Sequence, residues 1–160
     1  MKKIIYLLSI VLMVVLLGCG TPAPVAPTKE VTQPAKASTA AEICSSLKAS
    51  GLPMDNVIVY TEETDTNKLL GRPNQYTSKA NFADTRAAQI TKDNPVGGSV
   101  EVFANPQDAK TREEYVSNIS KSSPMFSQYL YLKGTALLRI DHDLTPSQAK
   151  EYDTAFEKNG

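Results

Sequence analysis

The chain has a single histidine, His142, set between Asp141 and Asp143, and on residue types alone this trio suggests a metal site. Geometry argues against it. On an extended strand the two aspartates share one face and the histidine points the opposite way, so the three converge only if the strand ends there and turns. The simpler reading is a polar connection ahead of a capped helix. Cys44 with His142 offers the elements of a thiol hydrolase. A nucleophilic cysteine needs partial exposure and electropositive surroundings. Cys44 instead falls among Ala40, Ile43 and Leu47 on a face expected to be buried, where free cysteine behaves as a small hydrophobe. Serine-hydrolase, P-loop, dinucleotide and zinc-protease patterns do not occur. The sequence therefore gives no catalytic residue, cofactor or metal ligand to expect.

The informative stretch is "TEETDTNKLLGRPNQYTSK". From Glu62 to Gln75 it shows no regular periodicity, and loops of that length inside compact domains tend to be functional or disordered. Leu69 and Leu70 are apolar anchors, Gly71 permits a tight bend, and Pro73-Asn74 is turn chemistry, so an ordered loop is expected. Asp65 and Asn67 at alternate positions suggest calcium. A helix–loop–helix calcium site then needs glycine sixth and glutamate twelfth, and those positions hold Leu70 and Tyr76. Two readings stay open. The segment is either an Ω-type loop covering one end of a sheet with its leucines, or a contact surface built from Glu62, Glu63, Asp65, Arg72, Asn74, Tyr76 and Lys79.

The elements around it are legible from local signals. Thr39-Ala40-Ala41-Glu42 has capping-box spacing, Gly51 supplies a stop, and Ala40, Ile43, Cys44 and Leu47 share a helical face. Strands are expected at Asn56–Thr61, at "YTSKANF" with Tyr76, Ser78, Ala80 and Phe82 inward, and at "SVEVF". Asn105-Pro106 opens a second helix with a buried stripe of Ala109, Val116 and Ile119, helped by Tyr115. "YLYLKGTALLRID" predicts a hairpin turning at Lys133-Gly134. Thr145-Pro146-Ser147-Gln148 caps a last helix with Ala149, Tyr152 and Phe156 on one face. Helix, three strands, helix, two strands, helix predicts an α+β two-layer sandwich, mainly antiparallel, with the helices packed on one face.

The N-terminal residues address location. Met1-Lys2-Lys3 is followed by an apolar run to Leu17, then Gly18 and Cys19, which are the parts of a secretory signal peptide. The run is short of the roughly 20 residues a lone membrane helix needs. Leu16-Leu17-Gly18-Cys19 resembles the lipobox of bacterial lipoproteins, a likeness covering the first two dozen residues. It implies that Cys19 carries a diacylglycerol and becomes the new N-terminus, with residues 1–18 removed. Residues 19–38 then form a Pro/Thr/Ala-rich disordered tether reaching up to about 60 Å in polyproline geometry, and 39–160 a single domain. Without Lys2 and Lys3 the acidic side chains outnumber the basic by two, so no nucleic-acid footprint is expected. With Cys19 lipidated only Cys44 keeps a thiol, which leaves no intrachain disulfide.

"VYTEETDTNKLLGRPNQYTSKANFADTR", followed by "VEVF" and "DAKTREEYV", is similar to segments of uncharacterised extracytoplasmic proteins of Gram-positive bacteria. That likeness implies no established activity. The expectation is a binding or interaction module on the extracytoplasmic face of the cell membrane, lipid-anchored through diacylglyceryl-Cys19, with an unknown protein or cell-wall partner. The alternatives are an enzyme or enzyme accessory acting on cell-envelope material, or an immunity or exclusion lipoprotein.

Overall fold

Thr39 begins the first helix as the capping box requires. Its side-chain oxygen accepts from the Glu42 N–H at 3.2 Å, and its own N–H donates to the Glu42 carboxylate at 2.6 Å. The computed structural model describes residues 38–89 and 91–159; Cys19, the apolar run before it and the tether up to residue 37 lie outside the described residues. The described residues form α1 (Ala40–Ala49), β1 (Met54–Val59), β2 (Tyr76–Asp84), β3 (Gly97–Phe103), α2 (Pro106–Ser122), a 3-10 turn at Pro124–Phe126, β4 (Gln128–Lys133), β5 (Ala136–Asp141) and α3 (Pro146–Asn159). The strands make one antiparallel sheet in the order β1-β2-β3-β5-β4. This is the expected α+β architecture.

Alternation along the strands sends every second side chain to a face. Ala80 and Phe82, Val100 and Val102, and Ala136, Leu138 and Ile140 turn toward α1 and α3, where Ile43, Cys44, Leu47, Tyr152 and Phe156 complete the main core. Each large side chain fully removed from water there stabilises the fold by about 1.5–3 kcal/mol. Phe82 stacks on Tyr152 with ring centroids 5.4 Å apart, and the Tyr152 hydroxyl donates to Asp84 at 2.8 Å, fastening α3 to β2. Gly98 makes room for that ring, since a Cβ there would come within 2.7 Å of Phe82.

Several local expectations shift. The helices do not all share one face: α1 and α3 do, whereas α2 crosses the opposite face, packing through Ala109 beside Tyr76, Phe103 and Leu137. Tyr115 leaves the buried stripe of α2 and is 58 % exposed, while Ala109 and Val116 are buried as expected. β1 runs from Met54 to Val59, two residues ahead of the expected Asn56–Thr61, because Met54 and Asp55 already pair with Asp84 and Ala83; Asn56, at φ 42°, lies in an irregularity between Asp55 and Ile58. The hairpin turns at Gly134-Thr135, one residue later than expected, because Lys133 still pairs with Ala136. Gly134 supplies the positive φ of 55° that this turn needs. Thr145 caps α3 as the sequence indicates, exchanging hydrogen bonds with Gln148.

A candidate ligand groove on the polar face of the sheet

The strand face under α2 is polar. Lys79 pairs in register with Glu101, and Asn81 with Ser99, which in turn faces Arg139, so Asn81, Ser99 and Arg139 form one line across β2, β3 and β5. Glu101 is fully buried. Its carboxylate accepts from Arg112 of α2 at 2.9 and 3.0 Å and from Arg139 at 2.7 Å. Burial opposes ionisation of Glu101, but the hydrogen-bonding Arg112 and the charge of Arg139 outweigh it, and the carboxyl stays below its ordinary range. Burial likewise works against the charge of Arg112, and the Glu101 carboxylate more than restores it. One carboxylate thus serves two guanidinium groups. Arg139 spends Nε on the Gln128 amide oxygen at 2.9 Å and Nη1 on Glu101, which leaves Nη2 outside both bonds.

Between this face, α2 and the 3-10 turn runs a groove of about 830 Å³. That volume falls within the usual size for small-molecule sites, which combine apolar walls with a few placed polar groups. Asn81, Ser99 and Arg139 lie along the floor, and Val116 and Ile119 on the α2 wall. Tyr115, Met125 and Phe126 form the lip; Met125 is 75 % and Phe126 57 % exposed. The Asn81 Oδ1 atom is buried and has no hydrogen-bond partner among the described residues. Buried polar atoms are nearly always paired, and leaving one unpaired costs about 1–3 kcal/mol.

The Glu62–Gln75 segment closes one end of the groove through Asn67 and Leu69. It is ordered around Asp65, which is fully buried. The Asp65 carboxylate accepts from the Leu69 and Leu70 N–H groups at 2.9 and 3.2 Å, the Tyr76 hydroxyl at 2.7 Å and the Lys79 ammonium at 2.8 Å. Burial works against its charge, but these donors prevail and hold the carboxyl well below the usual range. Burial, then the neighbouring Asp65, pushes the Tyr76 phenol up. Lys79 also lies over the Tyr60 ring, 4.7 Å from its centroid. Leu69 and Leu70 pack beside Tyr76, Phe103, Ala109 and Leu137, as anchors of an ordered loop should.

These contacts divide the seven residues assigned to a contact surface. Glu62, Glu63, Arg72 and Asn74 are exposed. Asp65, Tyr76 and Lys79 are not part of any exposed surface: they are buried and paired with one another. The cause is nonlocal. A strand face that reads as solvent-facing is roofed by α2 and the loop itself, so Lys79 points inward and requires a counterion. Asp65-Thr66-Asn67 did carry a local signal, because the Asn67 N–H returns to the Asp65 carboxylate at 3.4 Å in an Asx-type turn. Asn81, Ser99 and Arg139 carried none. Each is an ordinary polar residue in its strand until the register aligns them.

The other candidates are placed as follows. Cys44 is 1 % exposed, and burial pushes its thiol up to about 12, the opposite of nucleophile activation. His142 stands exposed in the turn after β5 with Nε2 4.0 Å from Asp143, whereas Asp141 accepts from the Gly97 N–H at 2.8 Å and Gln128 at 3.3 Å, so the trio does not converge. Among the described residues no helix is long and apolar enough to cross a membrane, and no cluster of three or more His, Cys, Asp or Glu residues could hold a metal ion. Compared with known protein families, curated proteins and solved structures, the chain matches none.

Proposed function

We propose that this chain is a non-catalytic binding module that takes its ligand in the groove beneath α2, held on the extracytoplasmic face of a membrane by a lipid on Cys19. The groove of about 830 Å³ between the sheet, α2 and the 3-10 turn supports this most strongly, because it joins a polar floor of Asn81, Ser99 and Arg139 to the exposed side chains of Met125 and Phe126. The apolar lip of Met125 and Phe126 supplies the area that a weak polar contact alone lacks. Lipidation of Cys19 is supported by the apolar run closed by Leu16-Leu17-Gly18-Cys19. Two acyl chains on one cysteine hold a soluble domain where one chain gives only marginal attachment.

The test is a titration of isotopically labelled protein with a library of small amides, carboxylates and amino sugars, followed by amide chemical shifts. Shifts clustered at Asn81, Ser99 and Phe126 support the groove. Shifts clustered on another surface, or chemical conversion of any library member, overturn the proposal.

A further inference from the structure

The sheet ends in β1 on one side and β4 on the other, and the two edges are not alike. An edge strand presents unpaired backbone N–H and C=O groups, which proteins blunt with bulges, prolines, charges or a covering segment. β1 is blunted twice. Its ladder breaks between Asp55 and Ile58, where Asn56 adopts φ 42°, and the Asn56 side-chain amide donates to the Lys92 carbonyl at 2.6 Å. β4 has neither bulge nor proline. It pairs with β5 in an unbroken register from Gln128–Asp141 to Lys133–Ala136, and each of its side chains is half-buried. Its single charge, Lys133, is drawn aside onto the Phe156 and Glu157 carbonyls at the end of α3. Among the described residues no strand pairs with its outer edge. We infer that this edge pairs with β4 of a second copy of the chain, joining the two sheets about a two-fold axis at Leu130.

The register follows from which backbone groups are free. The Thr135 carbonyl accepts from the Phe103 N–H at 2.9 Å, so Thr135, Leu137 and Arg139 direct their backbone groups toward β3. Their neighbours Ala136, Leu138 and Ile140 then bond β4 through Lys133, Tyr131 and Tyr129. The N–H and C=O groups of Gln128, Leu130 and Leu132 are left facing outward. An antiparallel pair about a two-fold axis normal to the sheet brings residues of the same face opposite one another. Centred on Leu130, it sets Leu130 against its own counterpart and Gln128 against Leu132 of the second copy. Every outward donor and acceptor of these residues is then satisfied. Moving the axis to Tyr131 would leave Gln128 opposite the Gly134 turn.

The side chains fit the same axis. Leu130 has a tyrosine on each side, Tyr129 and Tyr131, a symmetry that pairing with itself uses and pairing with an unrelated strand does not. Tyr129 meets Tyr131 of the second copy on the α3 face, and the two Leu130 side chains meet on the α2 face; such cross-strand pairs stabilise a sheet. Lys133 falls opposite Ser127, so no like charges face each other along the strands. The charges beside Tyr131, Lys150 and Asp153 of α3, are bonded to one another. Both helices are set back from the edge, since α2 also spans β5 and β3 and α3 also lies over β5. The pairing does not depend on what the groove binds, and both grooves open on the same side of the joined sheet.

The experiment is disulfide trapping in cells producing the full chain. Leu130→Cys places a thiol on the axis, and Met125→Cys places one on an exposed side chain outside the contact. The unaltered chain gives the background from Cys19 and Cys44. Residues opposed in a hydrogen-bonded antiparallel pair have Cα atoms about 5.5 Å apart, within the span of a disulfide. After brief oxidation Leu130→Cys is expected to form a dimer about tenfold faster than Met125→Cys. Tyr129→Cys and Tyr131→Cys, carried on separately tagged copies produced together, should crosslink to each other and much less to themselves. Leu130→Glu and Leu130→Lys each set like charges on the axis. Each should reduce capture of a second tagged copy about tenfold, and producing the two together should restore it. Trapping of Leu130→Cys no faster than Met125→Cys overturns the inference, as does a crosslink from Leu130→Cys to a different protein instead of a second copy. Where Leu130→Cys does not fold, the absence of a crosslink between the Tyr129→Cys and Tyr131→Cys copies overturns it. Undiminished capture in a folded Leu130→Glu or Leu130→Lys protein does so too.

Discussion

The Lys79 ammonium and the Asp65 carboxylate meet at 2.8 Å inside the domain, on either side of a loop that looks solvent-exposed in the sequence. Both side chains are almost wholly removed from water. The pair joins the Glu62–Gln75 segment to the floor of β2, and the same carboxylate fixes the Leu69 and Leu70 backbone. The wall at that end of the groove therefore depends on a charge pair.

Breaking the pair from one side should be costly. Asp65→Ala leaves Lys79 buried without a counterion and strands the Tyr76 hydroxyl, and a loss of about 3–5 kcal/mol is expected. Asp65→Asn with Lys79→Met, which removes both charges, should be milder than the sum of the single changes. Urea denaturation of the four proteins in a double-mutant cycle measures the coupling.

Acid should destabilise the domain through three carboxylates. Asp65, Asp84 and Glu101 are all held below their ordinary range, because their cationic and hydrogen-bonding partners overcome burial. The unfolded chain thus takes up protons first as pH falls. The stability these groups contribute is complete above their unfolded values, near pH 4, and is lost as pH drops toward their folded ones. Unfolding free energy should hold nearly level from about pH 6 to pH 5 and then fall toward pH 2, less steeply in Asp65→Asn.

Cys44 should behave as core rather than as a reagent. With its thiol pushed up to about 12 by burial, alkylation by iodoacetamide in the native protein should be far slower than in the denatured protein. Cys44→Ala should cost on the order of 1 kcal/mol. Rapid native labelling would contradict the burial.

Cys19 should be recovered from membranes with a diacylglycerol on its sulfur and as the first residue of the chain. Cys19→Ala should accumulate as precursor or be released from the membrane. Mass spectrometry showing intact, unmodified Cys19 in membrane-extracted protein would remove the anchor.

What was legible in the sequence was local. Thr39 with Glu42, Asn105 with Pro106, and Thr145 with Gln148 each fix a helix start within one turn of chain. Alternation and the Gly134 turn located the strands to within a residue or two. The site was not local. Asn81, Ser99 and Arg139 become neighbours only through the β2–β3–β5 register. That their face is half roofed depends on α2 crossing the sheet opposite α1 and α3. Lys79 was assigned to the surface for the same reason, since composition and spacing record which side chains share a face but not what covers it. Tyr76, read as inward with Ala80 and Phe82, joins the opposite face through the register shift between Tyr76 and Ser78.

A crystal structure of the protein soaked with the tightest-binding compound from the amide and carboxylate titration tests the groove most directly. The expected result is a ligand seated over Ser99 and Arg139 on the groove floor, with its apolar part against Met125 and Phe126. A compound seated elsewhere, or a groove collapsed with Met125 and Phe126 packed onto its floor, would contradict it.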